Sequence, residues 1–472
     1  EWNGENWKLV RRNQFTEVSG PGGIYGNTNP ETDPIWVTGW DARSVLVGVR
    51  DKGIWSFYRL PKASNSYDGA HGWNTEWPRI RNVGTDDKPD YLMTMHGMFW
   101  RFPKTFSTDQ TAGIRPRSAY LKVIGDFTRW NDRLVFGCDD SAHKEFLNKR
   151  KVKGDIEGPG QSNSNLWFTN VDKPDNLGST TAMGAVWIDD LVESGEVSEP
   201  FLFAGWEKRC AWLRNSGNTS VNILLEVDEE GNNQWQILKT VNVPAGQSVF
   251  IEFADSEKGE WIRATPDKSV TLSFEFAYTD NERSIGNVET FRGISDVKDK
   301  TSAGGLLYGL GDDRRALGVL AGMFCGDKFV ESGYYELDGN MSLEKKEDMK
   351  TEEFIRTRFA IPQNVISIEE TSVLIVDDNN RRWRLPLGNE AYKPLTDTGT
   401  LRICREVATE RDLFNCMGTF FELPAENADG FAKIRPVSSH NFRIHDYASY
   451  RGLLVMTGLN PDEIQHNSHI IR

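Results

Sequence analysis

The sequence is poor in the features that would staple a chain, anchor it or charge it toward one partner. Its five cysteines, Cys138, Cys210, Cys325, Cys404 and Cys416, are scattered singly, and no Cys-x-x-Cys occurs. An odd, widely spaced set argues against a zinc ribbon or a disulfide framework and predicts isolated buried thiols, with one disulfide left open. No run of about 18 apolar residues is present, so no helical membrane span is expected. Basic residues never cluster enough to follow a phosphate backbone. The densest group, Lys149 to Lys153, is surrounded by acids, and the formal net charge is −14. Nucleic acid is therefore not an expected partner. Also missing are the HExxH, Gly-x-Ser-x-Gly and P-loop signatures. The chain opens on Glu1 rather than Met, which a removed leader would explain; the expectation is a periplasmic or secreted protein.

What the sequence does have is aromatic residues and glycine: 16 Trp, 25 Phe, 12 Tyr and 43 Gly in 472 residues. That balance suits β architecture with tight turns. Most of the rings belong in a core, while exposed ones would suit the C–H faces of sugars.

A short pattern recurs: aromatic, charged, Leu or Phe, Pro. It reads Tyr58-Arg59-Leu60-Pro61, Trp100-Arg101-Phe102-Pro103, Trp383-Arg384-Leu385-Pro386 and Phe421-Glu422-Leu423-Pro424. The first two prolines are 42 residues apart and the last two 38. That spacing fits the roughly 40–50 residues of a propeller blade, with Pro closing a strand. A second pattern, Trp-x-x-Arg, occurs at Trp40–Arg43, Trp130–Arg133 and Trp206–Arg209, ahead of short apolar runs that read as buried strands. The fold class expected is all-β: one β-propeller domain over 1–472, most simply seven-bladed. Residues 200–280 form either elongated blades or an inserted β-sandwich. There Val249, Ile251 and Phe253 share one face, as do Leu272, Phe274, Phe276 and Tyr278. Short surface helices are expected over Lys144–Val152 and Leu343–Phe359. Pairing of Trp7–Val10 with His469–Ile471 would close the ring.

The turns at 228–233 and 377–380 carry hairpin residues, and neither holds a full calcium ligand set. Chemistry points instead to four polar loops. One, Ser66 to Trp77, carries Tyr67, His71, Trp73, Glu76 and Trp77. Another is Met95-His96-Gly97. A third runs from Asp139-Asp140 through His143 to Gln161 and Asn163, long enough to suggest function. The last, Ser438 to Tyr447, holds His440, His445 and Tyr447. Arg115 and Arg117 lie between the second and third. Zinc would need three His from separate loops. His440 and His445 are five residues apart, so a regular strand would face them oppositely.

These blades and loops resemble the seven-bladed propeller enzymes of polysaccharide degradation, the ulvan lyases and propeller α-L-rhamnosidases. Tyr58–Ser64, His71–Trp77, Trp100–Phe106, Trp130–Asp140 and Gln161–Phe168 are similar to a group from marine and gut polysaccharide-utilisation systems. One type in that group is an ulvan-oligosaccharide dehydratase. The resemblance implies β-elimination on a uronic acid of an oligo- or polysaccharide. Tyr67, His71, His96, His143, His440 and Tyr447 would then supply acid–base groups. Arg115 and Arg117 would neutralise the substrate carboxylate. Trp73 and Trp77 would stack on the sugar, with Gln161, Asn163 and His445 also binding it. No cofactor is expected; a structural metal ion stays open. Two alternatives remain: an exo-acting glycoside hydrolase using carboxylates such as Glu76, Asp139 and Asp140, and a non-catalytic glycan-binding propeller.

Overall fold

The computed structural model describes residues 1–472 except 24–28, 30, 66–77, 139–165, 281–303, 311–315, 326–327, 341, 359, 389–400, 409–410, 425–428, 441–442, 451–452, 460–468 and 472. The chain packs as two compact units: Glu1–Tyr120 with Ile124–Phe136 and Phe168–Ser284, and Leu121–Val123 with Gly137–Trp167 and Ile285–Arg472.

The first unit begins with a four-stranded antiparallel meander: β1 (Gln14–Ser19), β2 (Ile35–Trp40), β3 (Val45–Asp51) and β4 (Ile54–Leu60). β3 is aliphatic on both faces and almost wholly buried, the mark of an inner strand. A second meander follows in β5 (Arg79–Asn82), β6 (Tyr91–Met95), β7 (Met98–Phe102) and β8 (Arg115–Ala119). A third is three-stranded: β9 (Ile124–Trp130), β10 (Arg133–Cys138) and β11 (Leu166–Asn170).

The next eight strands break the meander pattern. They are β12 (Ala182–Val192), β13 (Phe201–Leu202), β14 (Lys208–Asn215), β15 (Val221–Asp228), β16 (Trp235–Val243), β17 (Ser248–Phe253), β18 (Trp261–Pro266) and β19 (Val270–Thr279). One sheet runs β12-β19-β14-β17, and β13-β18-β15-β16 forms the second. That order, with each strand pairing across a Greek key, is an eight-stranded jelly roll. Phe201, Phe253, Phe274 and Phe276 are buried between its sheets, as period-2 alternation requires, while Trp261 faces the other way, onto Tyr58 of β4. The jelly roll is tied to the first meander by backbone: β13 pairs in parallel with β4, Phe201 opposite Arg59. The two become one eight-stranded sheet.

In the second unit the meanders resume. β20 (Gly304–Leu310), β21 (Ala316–Cys325), β22 (Lys328–Leu337) and β23 (Leu343–Lys345) form one. After α1 (Met349–Arg358) come β24 (Ile366–Ile368), β25 (Ser372–Val376) and β26 (Arg382–Pro386). Then follow β27 (Cys404–Ala408), β28 (Arg411–Cys416), β29 (Thr419–Leu423) and β30 (Arg435–Ser439). The last is β31 (Arg443–Tyr450), β32 (Leu453–Leu459) and β33 (His469–Ile471). The described residues thus contain mostly strand, with little helix.

The recurring tetrapeptide has a physical basis. In β4, Arg59 Nη1 donates to Ser44 Oγ at 2.7 Å and to Asp41 Oδ1 at 3.0 Å. Asp41 and Ser44 close the β2–β3 turn, Asp41 N donating to Ser44 O at 3.0 Å. In β26, Arg384 bonds Glu369 and Ser372 Oγ, and Glu369 N donates to Ser372 O at 2.8 Å across the β24–β25 turn. The same acid-x-x-Ser turn and the same Arg occur in both units. In Arg101 and Glu422 the pattern keeps its strand position but not this pairing: Arg101 is exposed and Glu422 is buried.

Trp-x-x-Arg leads into strands, as expected: Trp40–Arg43 joins β2 to β3, Trp130–Arg133 is the β9–β10 hairpin, and Trp206–Arg209 leads from β13 into β14. Two expectations are corrected. Trp7 bridges to Trp2, and β33 pairs with β32. Within Leu343–Phe359 the helix covers Met349–Arg358 only, Leu343–Lys345 being strand; Lys144–Val152 lies outside the described residues.

Arg59 also anchors the junction with the jelly roll. Its Nε donates to Glu199 Oε2 at 2.7 Å, and Arg11 Nη2 reaches the same oxygen at 2.9 Å. Burial opposes ionisation of Asp41 and Glu199. Even so, Arg59 holds Asp41 below the usual carboxylate range, and Arg11 with Arg59 does the same for Glu199. Unfolded carboxyls titrate at about 3.9–4.3. The network's stabilisation is therefore complete above that range and fades as pH falls through the lower folded values. Glu199→Gln should be less stable than wild type at pH 7, with the gap closing toward pH 3. Thermal midpoints across that range check this, and a gap that widens in acid would refute it.

Candidate functional site

Six of the sequence-named site residues are described: His96, Arg115 and Arg117 in the first unit and His440, His445 and Tyr447 in the second. Tyr67, His71, Trp73, Trp77, His143, Gln161 and Asn163 lie outside the described residues, as do Glu76, Asp139 and Asp140.

His96 is the first central residue of the β6–β7 hairpin, with φ +47° followed by Gly97 at +74°. Positive φ at both centres is the geometry of a two-residue hairpin turn matching strand twist. The side chain is buried, Nδ1 lies 3.1 Å from Ser64 O, and the ring meets Trp40 edge-on at 5.5 Å. A carbonyl can only accept, so Nδ1 carries the proton. Arg115 forks onto Glu260, Nη1 lying 2.7 Å from Oε2, and ties β8 to the start of β18. Arg117 is buried, with Nε 2.8 Å from Asp175 Oδ1 and Nη1 3.0 Å from Asp90 Oδ2. Burial works against its charge, yet these two acids raise its pKa above the ordinary guanidinium value. Both arginines thus neutralise the protein's own carboxylates.

His440 follows β30. Its Nε2 lies 2.9 Å from Asn415 Oδ1 and its ring 4.9 Å from Phe420. His445 is the extra residue of a β-bulge, since Ile444 pairs Gly458 and Asp446 pairs Thr457. The bulge turns it inward, fully buried with its ring 4.2 Å from Phe329. Beside it, Asp446 takes Arg405 on both oxygens at 2.9 and 3.0 Å, and Leu307 N at 2.6 Å. Tyr447 is wholly enclosed, its hydroxyl 2.8 Å from Ile403 O and 2.6 Å from Leu413 O. Burial, reinforced by Cys404, pushes its pKa well above a phenol's ordinary value, which opposes service as a base. Each of the six is engaged by the protein's own groups. Among the described residues no group of three His, Cys, Asp or Glu is placed to hold a metal ion. The turns at Asp228 and Asp377 are filled from within by backbone amides of residues 231–233 and of Asn379 and Arg381.

A different surface has the character of a binding site: the open face of the jelly-roll sheet β12-β19-β14-β17. In β14, Ala211 and Leu213 point inward; in β17, Ile251 and Phe253 do. Alternation therefore sends Trp212 and Phe250 outward. They are cross-strand partners, 38% and 56% exposed, with ring centroids 5.4 Å apart. Glu275 of β19 stands opposite Trp212 on the other side, and Glu252 lies two residues beyond Phe250. Both carboxylates are exposed. Arg214, next outward along β14, is 3.7 Å from Asp189. The sequence reading did not single out this pair. The signal was present, because placing Val249, Ile251 and Phe253 on the core face leaves Phe250 on the other.

No family model matches the chain, and no curated protein does. Among solved structures, PirA aligns at 13% identity over 21% of this chain and 83% of its own, with a TM-score of 0.13. A glycoside hydrolase family 43 arabinoxylan arabinofuranohydrolase from Bacillus subtilis, in complex with cellotetraose, aligns at 8% identity over 56% of this chain and 79% of that one, TM-score 0.16. An exo-beta-1,3-galactanase from Phanerochaete chrysosporium, with galactose, aligns at 8% identity over 56% and 69%, TM-score 0.16. Scores this low transfer neither fold nor activity to this chain.

Proposed function

We propose that this protein is a carbohydrate-active protein that holds its glycan on the jelly roll. The observation that carries the reading is the exposed Trp212–Phe250 pair, set on the outer sheet face beside Glu275, Glu252 and Arg214. Adjacent aromatic rings left in water lose burial energy, and sugar rings are suited to cover them with their C–H faces. The alternative of a non-catalytic glycan-binding protein rests on the same surface. Among the described residues, seven short meanders, β1–β4, β5–β8, β9–β11, β20–β23, β24–β26, β27–β30 and β31–β33, support a reading as blades of one propeller. Within it, elimination on a uronic acid or hydrolysis falls to the polar stretches 66–77 and 139–165 of the sequence, because the described His, Tyr and Arg candidates are engaged by the protein's own groups. A secreted or periplasmic setting suits such a substrate.

Trp212→Ala and Phe250→Ala should each weaken retention on immobilised polysaccharide about ten-fold or more, in line with about 1.4 kcal/mol per decade. Their thermal midpoints should stay near wild type, since both side chains project into solvent. Affinity electrophoresis across a polysaccharide panel measures the effect. Equal retention of wild type and both variants on every glycan that binds would remove this reading.

A further inference from the structure

We infer that the Trp212–Phe250 face takes an uncharged glycan and discriminates against polyuronates, an inference that rests on the glycan-binding reading above. The two rings are flanked by Glu275, opposite Trp212, and Glu252, one row from Phe250. Both carboxylates are exposed, and among the described residues neither has an ion-pair partner. Ionised carboxylates only accept hydrogen bonds, so they complement the hydroxyl donors of a neutral sugar seated on the rings. The nearest cation on this face, Arg214, is shared with Asp189 at 3.7 Å. Lys208 lies at the start of β14, four residues from Trp212. The sign of the local field is visible at Cys210, which pairs with Glu252 across the strands. Burial raises that thiol's pKa, and Glu252 raises it further.

A uronic-acid chain lying across Trp212 and Phe250 would bring its carboxylates toward Glu252 and Glu275, with Arg214 already shared with Asp189 and Lys208 four residues from Trp212. Like charges on one face repel, and the chain as a whole, at net −14, adds to that repulsion. Neutral backbones such as xylan, galactan or β-glucan carry no such cost.

The full-length protein would be titrated against xylan, galactan and β-glucan, and against polygalacturonate and alginate, at low and moderate salt. Binding to at least one neutral glycan is expected, ten-fold or more tighter than to either polyuronate and lost in Trp212→Ala. The double variant Glu252→Gln/Glu275→Gln should narrow that gap by improving polyuronate binding, most clearly at low salt. Polyuronate bound as tightly as the neutral glycans, still through Trp212, would overturn the discrimination and leave the glycan-binding reading standing. Binding that ignores Trp212 for every glycan would remove both.

Discussion

Arg405→Ala is expected to destabilise the second unit by about 3–5 kcal/mol, the range for stranding a buried charge. Arg405 and Asp446 are each 1% exposed in their side chains. Arg405 Nε also lies 2.8 Å from Tyr447 O, and its other end meets Leu307 O, so one guanidinium joins β27, β31 and β20. Without it Asp446 keeps the amides of Leu307 and Tyr447, at 2.6 and 2.7 Å, and the electrostatic attraction of Arg402, but loses the guanidinium that bonds both its oxygens. Replacing both partners, as Arg405→Met/Asp446→Leu, should recover much of the loss, because two apolar groups leave no ion behind. Urea denaturation of the three proteins tests this. A single-variant loss under about 1 kcal/mol would mean the pair is better solvated than its burial implies.

The second large effect sits in the jelly roll. Gly231 has φ +67°, and a Cβ there would lie 2.4 Å from Ala112 N. Its carbonyl accepts from Thr111 N at 2.7 Å and Thr111 Oγ1 at 3.0 Å, clasping the β15–β16 turn to the loop after β7. Gly231→Ala combines left-handed strain with a collision against backbone that has no room to move, and about 2–4 kcal/mol of destabilisation is expected. Gly246 supplies the internal control: it has the same φ of +67° and nothing within 4 Å. Gly246→Ala should cost only the conformational part, about 1–2 kcal/mol. Similar denaturation midpoints for the two variants would show that the loop at Ala112 yields.

Where the sequence spoke clearly, it did so through local chemistry. Val249, Ile251 and Phe253 and the even positions of Leu272–Tyr278 line a core face, because alternation is a property of the strand itself. Asp228–Asn233 and Asp377–Asn380 are hairpins for the reason their composition suggested: a carboxylate collecting successive backbone amides. The Tyr58–Pro61 and Trp383–Pro386 repeats mark the last strands, β4 and β26, of meanders in the two units. What could not be read was pairing at long range. The parallel contact of β4 with β13 leaves no local trace, so the strand order of the jelly roll stayed hidden. The partners of the candidate site residues were hidden for a related reason. His96, Arg117, His445 and Tyr447 stand in polar stretches, but their partners Ser64, Asp175, Phe329 and Ile403 come from elsewhere in the chain. Residue type was legible there; occupation by the protein's own groups was not.

The β4–β13 seam has a practical consequence for anyone wishing to transplant the Trp212–Phe250 face proposed to bind glycan. Excising 182–279 as a cassette would sever Phe201 from Arg59 and strip Glu199 of both its guanidinium partners. The bared margin at β13 would offer unsatisfied amides to any neighbouring polypeptide, a recipe for precipitation. A portable version needs the opening sixty residues as a chaperoning flank, or a redesigned border bearing lysine or proline.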